Sequence, residues 1–195
     1  ASPPAIFAGL LYLLVVTFPI SVYLGTRLLG LSPQASGLAS LLVFACSSTG
    51  DPARYGLGYG SVIWRGSGLY TQIIALHLLA LTMGVVARAL DTRARRSWAS
   101  ILLGLTSLAH IIFGYVAAVS SAVFAIIGPR SRRADRIIRL ATMLVPALCL
   151  LAWFLIPLFF AQPVINHSRW EEMQKWDSYG APFILGELFS WRLLD

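Results

Sequence analysis

The sequence predicts an all-α, polytopic transmembrane helical bundle that contains short or re-entrant helices. Three observations lead there. The chain is 57% hydrophobic and only 12% charged over 195 residues, with a mean hydropathy of +0.75, whereas a soluble domain has about 25% charged residues. Its apolar runs are bounded by arginines rather than by turns alone. One uncharged stretch, from Trp98 to Gly128, is too long for one upright crossing and too short for two. It holds about 31 residues, about 46 Å as a single helix against a hydrocarbon core of about 30 Å, and two crossings need about 40 residues.

The elements follow in order. The first span covers about residues 4–26 and stops at Arg27, with Pro19 inside it as a predicted kink. A turn at Gly30 precedes Ser32-Pro33, a helix-start pair with serine as N-cap and proline at the first helical position. The next apolar segment, about 34–48, is short and rich in small residues, which favours close packing. Gly50 to Leu69 is a glycine-rich loop with interfacial tyrosines and a tryptophan. Another span covers about 71–90. The 98–128 stretch reads as two short helices broken between His110 and Gly114, and a final span covers about 137–161. Residues 162–195 form a polar-aromatic extracytoplasmic segment.

Arginines orient the chain. Arg93, Arg95 and Arg96 precede the uncharged stretch, and Arg130, Arg132, Arg133 and Arg136 follow it. Short basic loops stay in the cytoplasm, so the stretch between them enters the membrane and returns. Such a break is tolerated where protein or a water-filled cavity satisfies the freed backbone. Both ends of the chain then lie outside the cytoplasm. A single long tilted helix is the alternative.

The formal charge of +7 fits anionic headgroups of the lipid bilayer. Nucleic acid is excluded as a partner, because basic and aromatic residues do not interleave on a polar surface. Arginine so outnumbers lysine, with Lys175 alone, that a GC-rich bacterial gene and a bacterial plasma membrane are expected. Cys46 and Cys149 lie in apolar runs and read as small core residues. No cofactor is evident and no metal spacing is present; any divalent metal belongs to parts of a longer protein. Ala1 and Asp195 read as the ends of a fragment whose N- and C-terminal parts are missing.

His110 is the foremost candidate site residue, since an ionisable group deep in a membrane segment is a functional hypothesis by default. It either bonds a phosphate or substrate in a cavity, or bonds a neighbouring helix and fixes the break. His77 reads as a satisfied core histidine. Arg54 and Arg65 flank the glycine-rich loop and could clamp a phosphate, or snorkel to the interface. Asp51 and Asp177 are candidate acids at the cavity mouth, Asp51 being also a turn former before Pro52. No Walker-type lysine, catalytic triad or paired-acid spacing is present.

Three stretches carry a resemblance: Gly66-Ser-Gly-Leu-Tyr-Thr-Gln72 leading into a span, Leu102-Leu-Gly-Leu-Thr-Ser-Leu-Ala-His110 followed by Gly114-Tyr115, and Lys175-Trp-Asp-Ser-Tyr-Gly-Ala-Pro-Phe183 running through Gly186-Glu-Leu-Phe189 to Leu193-Leu-Asp195. They resemble bacterial membrane proteins labelled 6-pyruvoyl-tetrahydropterin synthase-related, although no soluble pterin-synthase zinc site is present. The architecture is similar to GT-C glycosyltransferases. The resemblance implies a glycosyltransferase using a polyprenyl-phosphate-linked sugar at the extracytoplasmic face, with Arg54, Arg65 and His110 at the lipid phosphate. The catalytic carboxylate of that superfamily lies in a first outer loop, which would precede Ala1, so the catalytic base stays unassigned. A transporter or flippase of a lipid-linked or small solute, and a non-catalytic membrane scaffold, are the alternatives.

Overall fold

The computed structural model describes residues 2–45, 70–92 and 95–161, and the described residues are helical with no strand. The helices are α1 (Pro3–Leu29), α2 (Pro33–Leu42) with a 3-10 turn (Val43–Ala45), α3 (Tyr70–Asp91), α4 (Arg96–Ala109), α5 (Ile111–Ile127) and, after a second 3-10 turn (Arg130–Arg132), α6 (Arg133–Phe160). The chain divides into two units, residues 1–155 and 156–195. In the second, the end of α6 and Ala161 are described.

Three stretches are long and apolar enough to cross a membrane: Pro3–Leu29, Tyr70–Asp91 and Arg130–Phe160. Their outer faces are apolar rather than polar, as a lipid solvent requires. Tyr12, Leu13 and Ile20 on α1 and Val145, Leu148 and Trp153 on α6 are exposed. Cys149 belongs to this outer face of α6 and is exposed, which corrects the reading of it as a core residue. Lipid tails are as apolar as a core, so the composition of a run does not reveal which of its sides is buried.

α3 is the central helix, and α1 packs along it in the same direction. Contacts pair Phe7 with Tyr70, Phe18 with His77, and Leu28 with Gly84 and Arg88. The seam closes on glycine. A Cβ on Gly84 would stand 2.5 Å from the Gly25 carbonyl oxygen and 2.6 Å from Leu28 Cβ, and one on Gly25 would overlap the Ala80 carbonyl. With little hydrophobic driving force between helices in lipid, such backbone proximity is the main source of attraction.

α1 ends at Gly30, whose φ of 99° supplies the left-handed cap, with amides of residues 30 and 31 returning to the carbonyls of Arg27 and Thr26. α2 then turns back along α1. Ser32 caps it as expected, its hydroxyl accepting from the Ala35 amide at 3.2 Å, with Pro33 opening the helix. Ser36 and Ser40 are its buried side, and Val43 reaches the cluster of Leu11, Val15, Phe18 and Ile73.

α4 descends antiparallel to α3, and the buried Thr82 and Thr106 hydroxyls meet at 2.9 Å. Each also lies 2.7 Å from its own i−4 carbonyl, of Leu78 or Leu102. A hydroxyl has one proton, so one threonine donates across the seam while the other donates along its own helix. α5 returns beside α3. α6 then runs alongside α4, with Gly104 against Leu150 and the Ala147 carbonyl. One apolar cluster joins Val86 and Leu90 of α3, Leu103 of α4, Ala117 of α5 and Met143 of α6.

All nine described arginines consequently gather at one end of the bundle: Arg27 closes α1, Arg88 closes α3, Arg95 and Arg96 open α4, and five lie from Arg130 to Arg139. Three of them hold helix ends. Arg88 Nε donates to the Leu28 carbonyl at 2.6 Å, Arg139 to the Leu90 carbonyl at 2.8 Å, and Arg136 to the Phe124 carbonyl at 2.8 Å while pairing with Asp91. Helix C-termini leave four carbonyls without amide partners and carry the negative end of the dipole, so a guanidinium fork suits them in both charge and geometry. α6 accordingly begins at Arg133, inside the arginine cluster and four residues before the expected 137.

Candidate site at the broken helix

The long uncharged stretch breaks at His110. Its backbone is extended (φ −161°, ψ 117°), and the one residue is both the C-cap of α4 and the N-cap of α5. The His110 amide donates to the Thr106 carbonyl and its carbonyl accepts from the Gly114 amide, each at 3.0 Å. One residue thus ties the two helix ends together. The fold-back is tight because Gly114 lies against Ser107: a Cβ there would stand 2.5 Å from Ser107 Cα and 2.6 Å from its Cβ. Ser107 keeps its own hydroxyl occupied, donating to the Leu103 carbonyl at 2.9 Å.

The arms are short. α4 has 14 residues and α5 has 17, about 21 and 26 Å at 1.5 Å per residue, against about 30 Å of hydrocarbon. Both have one end among the arginines: α4 opens at Arg96, and the Phe124 carbonyl near the end of α5 is held by Arg136. The pair therefore leaves the arginine end and comes back to it, with its tip at His110. No side chain caps α5 and no acid stands in its first turn, so its leading amides present a positive dipole end beside the last carbonyls of α4.

The His110 ring is half-buried, and its Nδ1 is shielded from solvent with no hydrogen-bond partner. Phe113 lies beside it, with ring centroids 5.1 Å apart. Next to it Ile111, Ile112 and Tyr115 are exposed at 53%, 62% and 71%, so one wall of the tip is open.

His77 stands at a similar depth, about 21 Å along α3 from Asp91, and is satisfied on both sides. Its Nε2 is 2.8 Å from the Leu14 carbonyl and its Nδ1 is 2.7 Å from Ser21 Oγ. A carbonyl only accepts, so Nε2 carries the proton and the Ser21 hydroxyl donates to Nδ1. The Phe18 ring meets the imidazole edge-on at 5.2 Å. Pro19 has no amide, which removes one rung of the α1 ladder just beyond this contact.

Of the other candidates, Asp51, Arg54, Arg65 and Asp177 lie outside the described residues. The acids within them are Asp91 and Asp135, both at the arginine end, and no metal-ligand cluster occurs among the described residues. Sequence reasoning tied Arg130, Arg132, Arg133 and Arg136 to topology and lipid headgroups, gave Arg139 no role, and missed the lock made by Arg136 and Arg139. Their spacing of three, one helical turn, was the available signal: it places both on one face of α6. Compared with known protein families, curated proteins and solved structures, the chain matches none.

Proposed function

We propose that this chain is the central membrane portion of a GT-C-like glycosyltransferase that takes its sugar from a polyprenyl-phosphate carrier. The observation that carries the proposal is the broken pair α4–α5, with the unpartnered His110 Nδ1 at its tip. Irregular backbone at membrane depth belongs beside a cavity or protein, and an unpaired imidazole there can bond a phosphate or sugar hydroxyl. The concentration of arginine at one end supports a cytoplasmic position for that end, in what we propose is a bacterial plasma membrane. The tip then points toward the proposed extracytoplasmic side, at the end of the bundle where α1 and α3 begin. Arg65 stands five residues before α3 in the sequence, and with Arg54 it is the proposed clamp for the carrier phosphate. In this chemistry a carboxylate deprotonates the acceptor and cations stabilise charge on the departing phosphate. Asp51 and Asp177 are the proposed acids at the cavity mouth.

The test is binding of a polyprenyl-phosphate sugar to the full-length protein in nanodiscs. Arg54→Ala and Arg65→Ala should each lower affinity about tenfold or more, the scale of a lost charge-assisted pair. Unchanged affinity in both variants overturns the assignment.

A transporter or flippase is the second reading, favoured by one observation: opposed half-helix ends meeting at depth, a transporter signature. Reconstituted vesicles separate the two. Solute or carrier movement without glycosyl transfer supports the transporter, and transfer without movement supports the enzyme.

A further inference from the structure

Two grooves beside α4 each include one of its N-terminal arginines in their lining. One, of about 460 Å³, lies between α3 and α4 and is lined by Leu81, Val85, Arg95, Trp98 and Leu102. The other, of about 250 Å³, lies between α4 and α6 and is partly polar, with Arg96, Ser97, Ser100 and Thr142 beside Pro146 and Leu150. The first is within the size range of small-ligand sites, about 300–1,000 Å³, and apart from its arginine its walls are apolar.

Among the described residues, neither arginine is ion-paired. Arg95 and Arg96 crowd the positive end of the α4 dipole, where cations are unfavourable, and no acid stands in the first turn and no side chain caps it. Arg96 Nε is shielded from solvent without a partner. Of the two described acids, Asp91 is paired with Arg136, and no ion pair joins Asp135 to Arg95 or Arg96. Arg95 also adopts φ 67°, the one left-handed non-glycine among the described residues, a conformation costing about 1–2 kcal/mol. An anion resting between the two guanidinium groups offsets each of these costs.

We infer that the start of α4 holds one anionic phospholipid from the leaflet at the arginine end, with its phosphate between Arg95 and Arg96 and an acyl chain in the apolar groove between α3 and α4. An apolar groove with one arginine in its lining and a second beside it in the chain matches an amphiphile with an acyl chain and one anionic head. A guanidinium accepts no hydrogen bond, so these two arginines offer nothing to the ammonium of a zwitterionic head, and the site selects a net negative one. The inference rests on the membrane location and is independent of the glycosyltransferase reading, because the site is at the end of the bundle opposite the proposed carrier clamp.

Native mass spectrometry of the protein in detergent, titrated with phosphatidylglycerol or with phosphatidylcholine of the same chains, tests it. One phosphatidylglycerol per chain should be retained, at least tenfold tighter than phosphatidylcholine. At about 1 kcal/mol per arginine near an anionic surface, Arg95→Ala with Arg96→Ala should weaken it about 30-fold. Leu102→Trp, which fills the first groove, should weaken it with charge unchanged, and Val85→Phe does the same if that variant does not fold. Arg130→Ala with Arg132→Ala removes equal charge at the same end away from the grooves and should leave retention intact. Equal loss from both arginine pairs, equal retention of the two lipids, or no response to filling the groove would each overturn the site.

Discussion

Two histidines stand at the same depth in this bundle and are treated in opposite ways. His77, in the seam between α1 and α3, has both ring nitrogens bonded and an aromatic edge against it. His110, at the tip of the broken pair, has a shielded nitrogen with nothing to bond. The surroundings differ accordingly. The α1–α3 seam joins two uninterrupted helices at glycine-to-glycine distance, whereas the α4–α5 tip is a reversal made by one extended residue with exposed neighbours. A saturated polar group buried in lipid fixes helices in place, and an unsaturated one is costly unless something binds it. The first histidine belongs to assembly, and the second is the one proposed for the site.

The largest effect should come from forcing the seam apart. Gly84→Leu puts four carbons where the Gly25 carbonyl and the Leu28 side chain already stand. Overpacking usually costs about 1–3 kcal/mol through side-chain shifts; here backbone must move, so a loss above about 3 kcal/mol is expected. Thermal unfolding in detergent should show little folded protein. Gly9→Leu, with nothing within 4 Å, should unfold like the parent. Similar behaviour of the two would mean that the seam does not hold the bundle.

Next is the arginine lock. Arg136→Ala removes donors from the Phe124 carbonyl and the partner of Asp91. Hydrogen bonds to charged groups are worth about 1.5–3 kcal/mol, and a loss of about 2–3 kcal/mol is expected. Arg136→Lys should recover less than half, because the ammonium lacks the planar fork whose two ends reach Asp91 and the Phe124 carbonyl. Full recovery by lysine would reduce the lock to simple charge. Since the lock ties the end of α5 to the ends of α3 and α6, its loss should also let the broken pair splay, seen as faster amide exchange between residues 111 and 127.

His77→Leu should cost less, about 1–2 kcal/mol. Ser21 can turn its hydroxyl back to its own helix, as Thr17 does to the Leu13 carbonyl, leaving the loss of one bond to Leu14 and the edge contact with Phe18. Thermal unfolding is again the measurement. Activity or binding should change only as far as stability does, and a selective functional loss would move His77 into the site.

Much of this was legible in the sequence wherever the cause is local. Apolar runs placed α1, α3 and α6, and Ser32-Pro33 marked the start of α2 within a residue. The break came from an unusual source: the residues around His110 are ordinary helix formers, and the arginines on both flanks required the turn. What the sequence withheld depends on distant pairs. Gly25 and Gly84 are 59 positions apart, and neither shows by itself that it faces the other. Arg136 in a row of arginines looks like its neighbours until the carbonyls of two other helices are seen beside it. Cys149 was misjudged because a lipid-facing side and a core-facing side have the same composition. For the site, the tip is described at His110, while the arginines and acids expected around it fall outside the described residues.

The smallest effect on stability should accompany the largest on function. His110→Leu removes a polar nitrogen that has no partner, and leaving such an atom buried costs about 1–3 kcal/mol. Its loss should leave unfolding unchanged or raise stability by up to about 1 kcal/mol. The backbone bonds of residue 110 to Thr106 and Gly114 do not involve the ring, so the reversal should survive. If the nitrogen is kept for a ligand, lipid-linked sugar binding should fall about tenfold or more in the same variant, and His110→Asn, which still offers polar atoms near that position, should retain part of it. A clear loss of stability in His110→Leu would instead make the ring a fastener of the break, and the contrast with His77 would disappear. Stability held while binding is lost is the pattern of a residue retained against the interest of the fold, and it separates a functional break in the helix from a merely structural one.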